Sequence, residues 1–327
     1  MIPLTADATA RPFRFAVGGP ASVHDRVALV RHVQTAERVG YSTATFPDHH
    51  FMPISPLVAM SVAAAATTDL RLGSFVLATD LRHPAMLAKD IASLDVLSDG
   101  RVELGLGAGW IRSDFDTLGI PFADAGTRIT RVEEAVAVIR GAWSGEPFDF
   151  TGSHHRIAGL VGVPRPRQVG GPPVLVGGGG RKMLEAAARC ADIVTIAARP
   201  LESRTVSGSD AESLRRRVKW IADASDGRPV VPERHVLLGG IAVTDDRRGG
   251  ARAVVAQLAA TARRLALRPI ELSEDDILSS PFFAVGSVPA IVEQLLALRE
   301  ETGISYISVP SSALTDFGPV VEALTGR

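Results

Sequence analysis

Apolar residues along this chain fall into short uninterrupted runs, each followed by a longer stretch in which they recur every three or four positions. Residues 13–17 read as a buried strand. Ser22-Val23-His24-Asp25 then offers a capping-box opening to a helix with apolar positions Val23, Val27, Val30, Val33, Ala36 and Val39, and Gly40 sits where a C-cap glycine belongs. The unit recurs as strand 42–46 with helix 56–67, strand 70–77 with helix 84–97, and strand 102–106 with helix 129–143 after a long loop. A polar interlude holding Phe148, Phe150, His154 and His155 predicts a small hairpin. Strands 174–176, 193–196, 236–243 and 304–309, with helices 183–190, 251–265 and 288–301, complete the series. Strict alternation predicts an all-parallel sheet, and eight units favour its closure into an α/β fold, the (β/α)8 TIM barrel. The expectation is a single domain over 1–327, with 1–12 a loose N-terminal segment and insertions at about 199–234, after strand six, and 268–286, before strand eight.

Charge changes this picture only by exclusion. Thirty-five basic residues against 36 acidic ones leave no field that would draw nucleic acid or an anionic membrane, so the expected partner is a small molecule. Met1 to Arg11 lacks a basic start followed by an apolar stretch, and the most apolar helical stretch, 61–67, is too short to span a bilayer; a cytoplasmic protein is expected. Cys190, the sole cysteine, excludes an internal disulfide and reads as a small core residue on a helix.

In a barrel of this kind the chemistry sits just after the C-terminal ends of the strands. Four such places carry candidate residues. Phe46-Pro47-Asp48-His49-His50 places a carboxylate and two imidazoles after strand two, with successive side chains pointing apart and no shared metal expected. Residues 73–79, followed by His83-Pro84, fit either plain core or a flat wall on which a ring system stacks. In Leu104-Gly105-Leu106-Gly107-Ala108-Gly109-Trp110 the glycines let a backbone approach a ligand, but their spacing is not a dinucleotide fingerprint. Finally, Gly177-Gly178-Gly179-Gly180-Arg181-Lys182 runs from a strand into a helix, exposing N–H groups at a positive helix end, which suits a phosphate.

Together these stretches resemble the luciferase-like monooxygenase superfamily, and most closely its branch of coenzyme F-420 (deazaflavin) dependent oxidoreductases. The resemblance rests on Pro47-Asp48-His49, Arg82-His83-Pro84, residues 94–101, residues 105–110, Gly119-Ile120-Pro121-Phe122 and the run 177–180, and covers nearly the whole chain. It implies that Asp48 and His49 face the flavin-like ring, with His49 exchanging a proton beside the substrate. It also implies a non-prolyl cis peptide at Phe75-Val76 behind the ring, a cofactor tail lined by Ala78, Ala108 and Gly109, and a phosphate held by Gly178, Gly179 and Gly180 with Gly177. A homodimer is implied as well. Trp110 departs from the branch's sugar-phosphate dehydrogenases, which carry an acidic residue there, and Phe51, Trp110, Phe115, Phe282 and Phe283 suggest an apolar or aromatic substrate.

The activity expected from these features is hydride transfer between deazaflavin C5 and a small organic substrate. The alternatives are an FMN-dependent monooxygenase using molecular oxygen and a barrel that binds a flavin without catalysis. A metal-dependent hydrolase is disfavoured, because no His-x-His follows strand one and no ligand quartet falls at the strand ends; no metal is expected.

Overall fold

The computed structural model describes residues 11–20, 25–198, 209–264 and 271–327. Its strands are β1 (Arg14–Gly18), β2 (Thr43–Phe46), β3 (Arg71–Ser74), β4 (Leu77–Ala78), β5 (Val102–Gly107), β6 (Phe148–Thr151), β7 (Arg156–Leu160), β8 (Val174–Gly178), β9 (Ile193–Ile196), β10 (Glu233–Leu237), β11 (Gly240–Val243), β12 (Phe283–Gly286) and β13 (Ile304–Val309). The helices are α1 (Arg26–Val39), α2 (Pro56–Ala66), α3 (Pro84–Leu97), α4 (Arg112–Leu118), α5 (Ala125–Trp143), α6 (Arg181–Cys190), α7 (Ala211–Ala224), α8 (Arg247–Arg264), α9 (Glu274–Ser279), α10 (Val288–Thr302) and α11 (Gly318–Leu324). Parallel pairing runs β3-β2-β1-β13-β10-β9-β8-β5 and closes through β3 with β5, so eight strands form a barrel in which β4 continues β3. Burial on both faces explains why these strands read as continuous apolar runs rather than alternating ones.

Helix signals in the sequence are realised locally. Asp25 caps α1 by accepting from the Ala28 N–H, and Gly40, at φ 96°, ends it; Ser22, Val23 and His24 lie outside the described residues. Prolines open α2, α3 and α10, where a missing N–H costs nothing. Residues 94–101 tie the N-terminal end of the barrel together. Buried Asp95 accepts from the Gln168 backbone and side chain at 3.0 and 2.7 Å, while Arg101 donates to Leu70 O and Ala64 O. The hairpin forms as β6 antiparallel to β7.

The expected strand 70–77 breaks into β3 and β4, the second expected insertion contains α9 and β12, and α11 is added after β13; two further stretches depart most from the sequence reading. The run 236–243 holds two strands in two sheets. The Leu238 N–H still bonds Ser308 O in the barrel, but the Gly239 N–H turns to Phe282 O at 2.7 Å, and β11 pairs in parallel with β12 outside the barrel. Around that pair α8 and α9 bury their own small core of Val254, Leu258, Ile277, Phe283 and Val285. Between β5 and α5, where a long loop is expected, the chain forms α4, closed by Gly119 at φ 68°. Residues 1–10, 199–208 and 265–270 lie outside the described residues, so parts of the N-terminal segment and of both expected insertions do too. Among the described residues, no helix is long and apolar enough to cross a membrane.

The barrel interior is polar at its N-terminal end. Arg14 donates to Glu103 at 2.6 Å and to Glu233 at 2.9 and 2.6 Å, Arg71 donates to Glu103 at 2.8 Å, and the Tyr306 hydroxyl donates to the second Glu103 oxygen at 3.0 Å. Above it lie Ala16, Leu175, Ile193 and the Tyr306 ring, on which Phe75 and Val76 pack while staying half-exposed toward the C-terminal mouth.

Gly105 is required by this geometry. A Cβ there would sit 2.0 Å from the Ser74 carbonyl oxygen, whereas at Gly180 it would meet nothing within 4 Å. Gly105→Ala is therefore expected to cost about 3 kcal/mol and Gly180→Ala close to nothing, read from the denaturant midpoints of the two variants. Equal midpoints would contradict the packing described.

Candidate functional site

Strand β2 ends at Phe46, so the side-chain alternation of a strand does not extend into the turn beyond it, and His49 and His50 are free to converge. Both do, on one carboxylate. His49 Nδ1 lies 2.6 Å from Asp114 Oδ2 and His50 Nδ1 2.8 Å from Asp114 Oδ1, with Asp114 presented by the first turn of α4. A carboxylate accepts only, so each Nδ1–H donates, and in the neutral His49 ring Nε2 is left as the acceptor. Phe51 stacks on His49 at 5.0 Å with planes 7° apart, and Trp110 meets it edge-on at 6.0 Å. Phe51 and Trp110 are 46% and 40% exposed, large apolar surfaces kept at the mouth beside an imidazole whose orientation is fixed.

Asp48 has a different neighbourhood. Arg82 donates to both of its oxygens, at 2.5 and 2.8 Å, and the Ala78 N–H adds a bond at 3.2 Å. A carboxylate so engaged is an anchor that fastens the β2 end to the segment after β4; it is not an unengaged base. The Phe75–Val76 peptide between β3 and β4 is cis, as the resemblance implies. Ala78 and Gly109 are neighbours, a Cβ on Gly109 falling 3.7 Å from the Ala78 methyl, and Arg128 donates to the carbonyl oxygens of Ala108 and Gly109. Ala78, Ala108 and Gly109 thus form one small-residue wall next to the Asp48 anchor.

The glycines have mixed reasons. Gly105 and Gly107 make room for Ser74, at the end of β3, and for Val76, just before β4, not for a ligand, and Gly109, at φ 68°, accommodates the Phe115 ring. In the run 177–180, Thr195 crowds Gly177 and Met183 crowds Gly178, so packing accounts for two of the four. At Gly180 a Cβ would meet nothing within 4 Å. Gly180 is the N-cap residue of α6, whose first turn has no side-chain cap, so the leading N–H groups of that helix point outward at its positive end. Those groups fit a phosphate. Arg181 is turned away, donating to Glu185 at 2.7 Å.

Three aromatic residues expected at the mouth are not there. Phe115 is 1% exposed: α4 drives its ring under Gly109 and against Phe122 at 4.9 Å, where it supports the wall from behind. Phe282 and Phe283 are buried, Phe283 in the core of the β11–β12 excursion. Asp114 and Arg82 are the residues that reasoning from the sequence leaves without a role. For Asp114 the signals are Gly119 as a helix stop and the Arg112–Asp116 pair four residues apart, which together mark a short helix in the loop after β5. Among the described residues, no group of three or more histidine, cysteine, aspartate or glutamate side chains is arranged to hold a metal ion.

A sequence profile of luciferase-like monooxygenases matches residues 9–306. An uncharacterized protein of Mycobacterium tuberculosis (strain ATCC 25618 / H37Rv) is 35% identical over 179 residues, a match covering 48% of this chain and 60% of that protein's length. The FMNH(2)-dependent dimethylsulfone monooxygenase of Pseudomonas fluorescens (strain Pf0-1) is 33% identical over 128 residues, 39% of this chain and 34% of that protein. Among solved structures, the coenzyme F-420 dependent tetrahydromethanopterin reductase of Methanopyrus kandleri superposes with a TM-score of 0.79 at 19% identity, covering 96% of this chain and all of that one. The EDTA monooxygenase of Chelativorans sp. BNC1 superposes with a TM-score of 0.76 at 15% identity, covering 96% of this chain and 94% of that one. At these identities the superpositions establish the fold, a closed parallel (β/α)8 barrel.

Proposed function

We propose, from the premise that this chain belongs to the luciferase-like monooxygenase family, that it is an oxidoreductase using a flavin-type cofactor, and that the cofactor is the deazaflavin coenzyme F-420. When bound, such a cofactor supplies hydride transfer at its C5 carbon, and the protein supplies orientation and proton handling. The observation that carries the reading is the His49–Asp114 bond at 2.6 Å, which fixes the imidazole at the barrel mouth with Nε2 as its remaining nitrogen.

In this reading His49 holds or delivers a proton at Nε2 beside the substrate, and Asp114 keeps the ring in that tautomer and orientation. Asp48, clamped by Arg82, positions the turn that bears His49. Phe75 and Val76 form the floor of the mouth, Ala78, Ala108 and Gly109 line the cofactor tail, and the N–H groups from Gly177 through Gly180 into the first turn of α6 take its phosphate. Phe51 and Trp110 favour an apolar or aromatic substrate, which they flank without a charged side chain of their own. The proposal includes a homodimer, which rests on the family resemblance.

One observation favours a second reading, an FMN-dependent monooxygenase: the 33% identity to a protein named as FMNH(2)-dependent. Titrating the purified protein with FMN and with coenzyme F-420, following fluorescence quenching of each, separates the two. Saturable quenching of F-420 alone is the expected result. A preference for FMN would replace the first reading by the second, with oxygen consumption as its check, and binding of neither would sink the phosphate site on α6.

A further inference from the structure

Beneath the mouth lies an imidazole to which the chemistry above assigns no role. His235, on β10, is fully buried in the barrel interior. Its Nδ1 is 2.9 Å from Thr195 Oγ1 on β9 and its Nε2 is 2.7 Å from Ser308 Oγ on β13, so the ring is clamped by the strands on either side of its own. One nitrogen donates and the other accepts, each hydroxyl turning to suit. Burial pushes the imidazole down to about 3, with the Arg14 charge adding to the effect, so the ring is neutral across the working range.

The ring also has two aromatic neighbours. Tyr306 lies 4.5 Å from it at 65° and Phe75 5.2 Å from it at 69°, both in T-shaped contact. Tyr306 is in turn held by its bond to Glu103 and by the Arg14 guanidinium 3.5 Å over its ring. A continuous column therefore runs from the ionic network at the N-terminal end of the barrel through Tyr306 and His235 to Phe75, the half-exposed floor of the mouth. A leucine or methionine in the place of His235 would fill the volume but keep rotamer freedom. Two hydrogen bonds leave the imidazole one orientation, and a site needs its supports fixed to a fraction of an ångström.

We propose that His235 is a positioning residue of the site: through its edge contact with Phe75 it fixes the floor on which the bound ring system rests. This rests on the flavin-type reading given above. The polar clamp serves to hold the imidazole, and it is the ring contact that acts on the mouth.

Three variants separate these parts. His235→Phe keeps a ring against Phe75 and strands the two hydroxyls, His235→Gln keeps hydrogen-bonding groups and loses the ring, and His235→Ala loses both. The measurements are thermal midpoint, cofactor dissociation constant and the visible absorption band of the bound cofactor, using whichever of FMN and F-420 the wild-type protein binds. The Gln and Ala variants are expected to weaken binding about tenfold and to return the band toward that of free cofactor. The Phe variant is expected to lower the midpoint while leaving affinity and band near wild type. Phe75→Leu should reproduce the Ala effect, and the double variant His235→Ala/Phe75→Leu should weaken binding no further, a test that stands even if His235→Phe fails to fold. Wild-type affinity and band in folded His235→Ala, or additive effects in the double variant, would overturn the inference alone. Wild-type protein that binds neither cofactor would overturn the reading beneath it.

Discussion

Replacing His49 with alanine is expected to lower turnover by about 10²–10⁴-fold while leaving cofactor affinity nearly unchanged. The asymmetry follows from where the side chain is held. Its Nδ1 is committed to Asp114, one face is covered by Phe51, and none of the residues assigned to the cofactor tail or phosphate bonds to it. The measurement is substrate-dependent reoxidation of the reduced cofactor, using an aromatic or apolar acceptor that the wild-type protein turns over, with affinity followed separately by fluorescence titration. Activity equal to wild type would remove His49 from the mechanism, and a parallel loss of affinity would make it a binding group instead.

The largest expected effect on stability lies at the opposite end of the barrel. Glu103 is almost fully buried, with Arg14 and Arg71 sharing one carboxylate oxygen and the Tyr306 hydroxyl on the other. Glu103→Gln keeps the shape and removes the charge, leaving Arg14 with Glu233 as its remaining carboxylate and Arg71 bonded to Val102 O and Gln168. The expected cost is about 3–5 kcal/mol, read as a lower denaturant midpoint. Burial alone would raise the Glu103 carboxyl, but the charges of Arg14 and then Arg71 outweigh it and hold the group below the usual glutamate range. A carboxyl lowered in the folded state contributes stability that is complete above its unfolded value and is lost as the pH falls through the folded one. Glu103→Gln should therefore also flatten the acid limb of the stability profile below the usual glutamate range. A midpoint and a profile both matching wild type would show that the cluster contributes nothing net.

Glu103 and His49 also mark the two ends of the fold's division of labour. Residues near the starts of the strands, Arg14, Arg71, Glu103 and Glu233, form a closed ionic network with its partners in place, whereas the turns after the strand ends carry half-exposed aromatics, an oriented imidazole and an uncapped helix. That polarity is the general arrangement of such barrels, with stability at one face and chemistry at the other.

Along the chain itself, what was legible were the quantities that neighbouring residues set. Runs such as Ile193–Ile196 have to be buried strands, Gly40 has to end a helix, and Pro84 has to begin one, because burial, φ and a missing N–H are local requirements. Eight such units then leave closure into a barrel as the arrangement that buries both faces of the sheet. The candidate histidine and the Asp48 turn were visible for the same reason: they follow directly on a strand end. What the sequence left open were distances between residues far apart along it. Asp114 reaches His49 across 65 positions and Arg82 reaches Asp48 across 34, and no periodicity encodes either bond. The glycines mislead for a related reason. From sequence, Gly105, Gly107 and Gly178 look like room for a ligand, but the room is taken by Ser74, Val76 and Met183, which only the packing of adjacent elements brings there. Phe115 follows Trp110 by only five positions, yet α4 sends its ring into the core while Trp110, ahead of that helix, stays partly exposed. Local chemistry chose the elements; the long-range contacts they made on closing into a barrel decided which side chains meet a ligand and which merely support those that do.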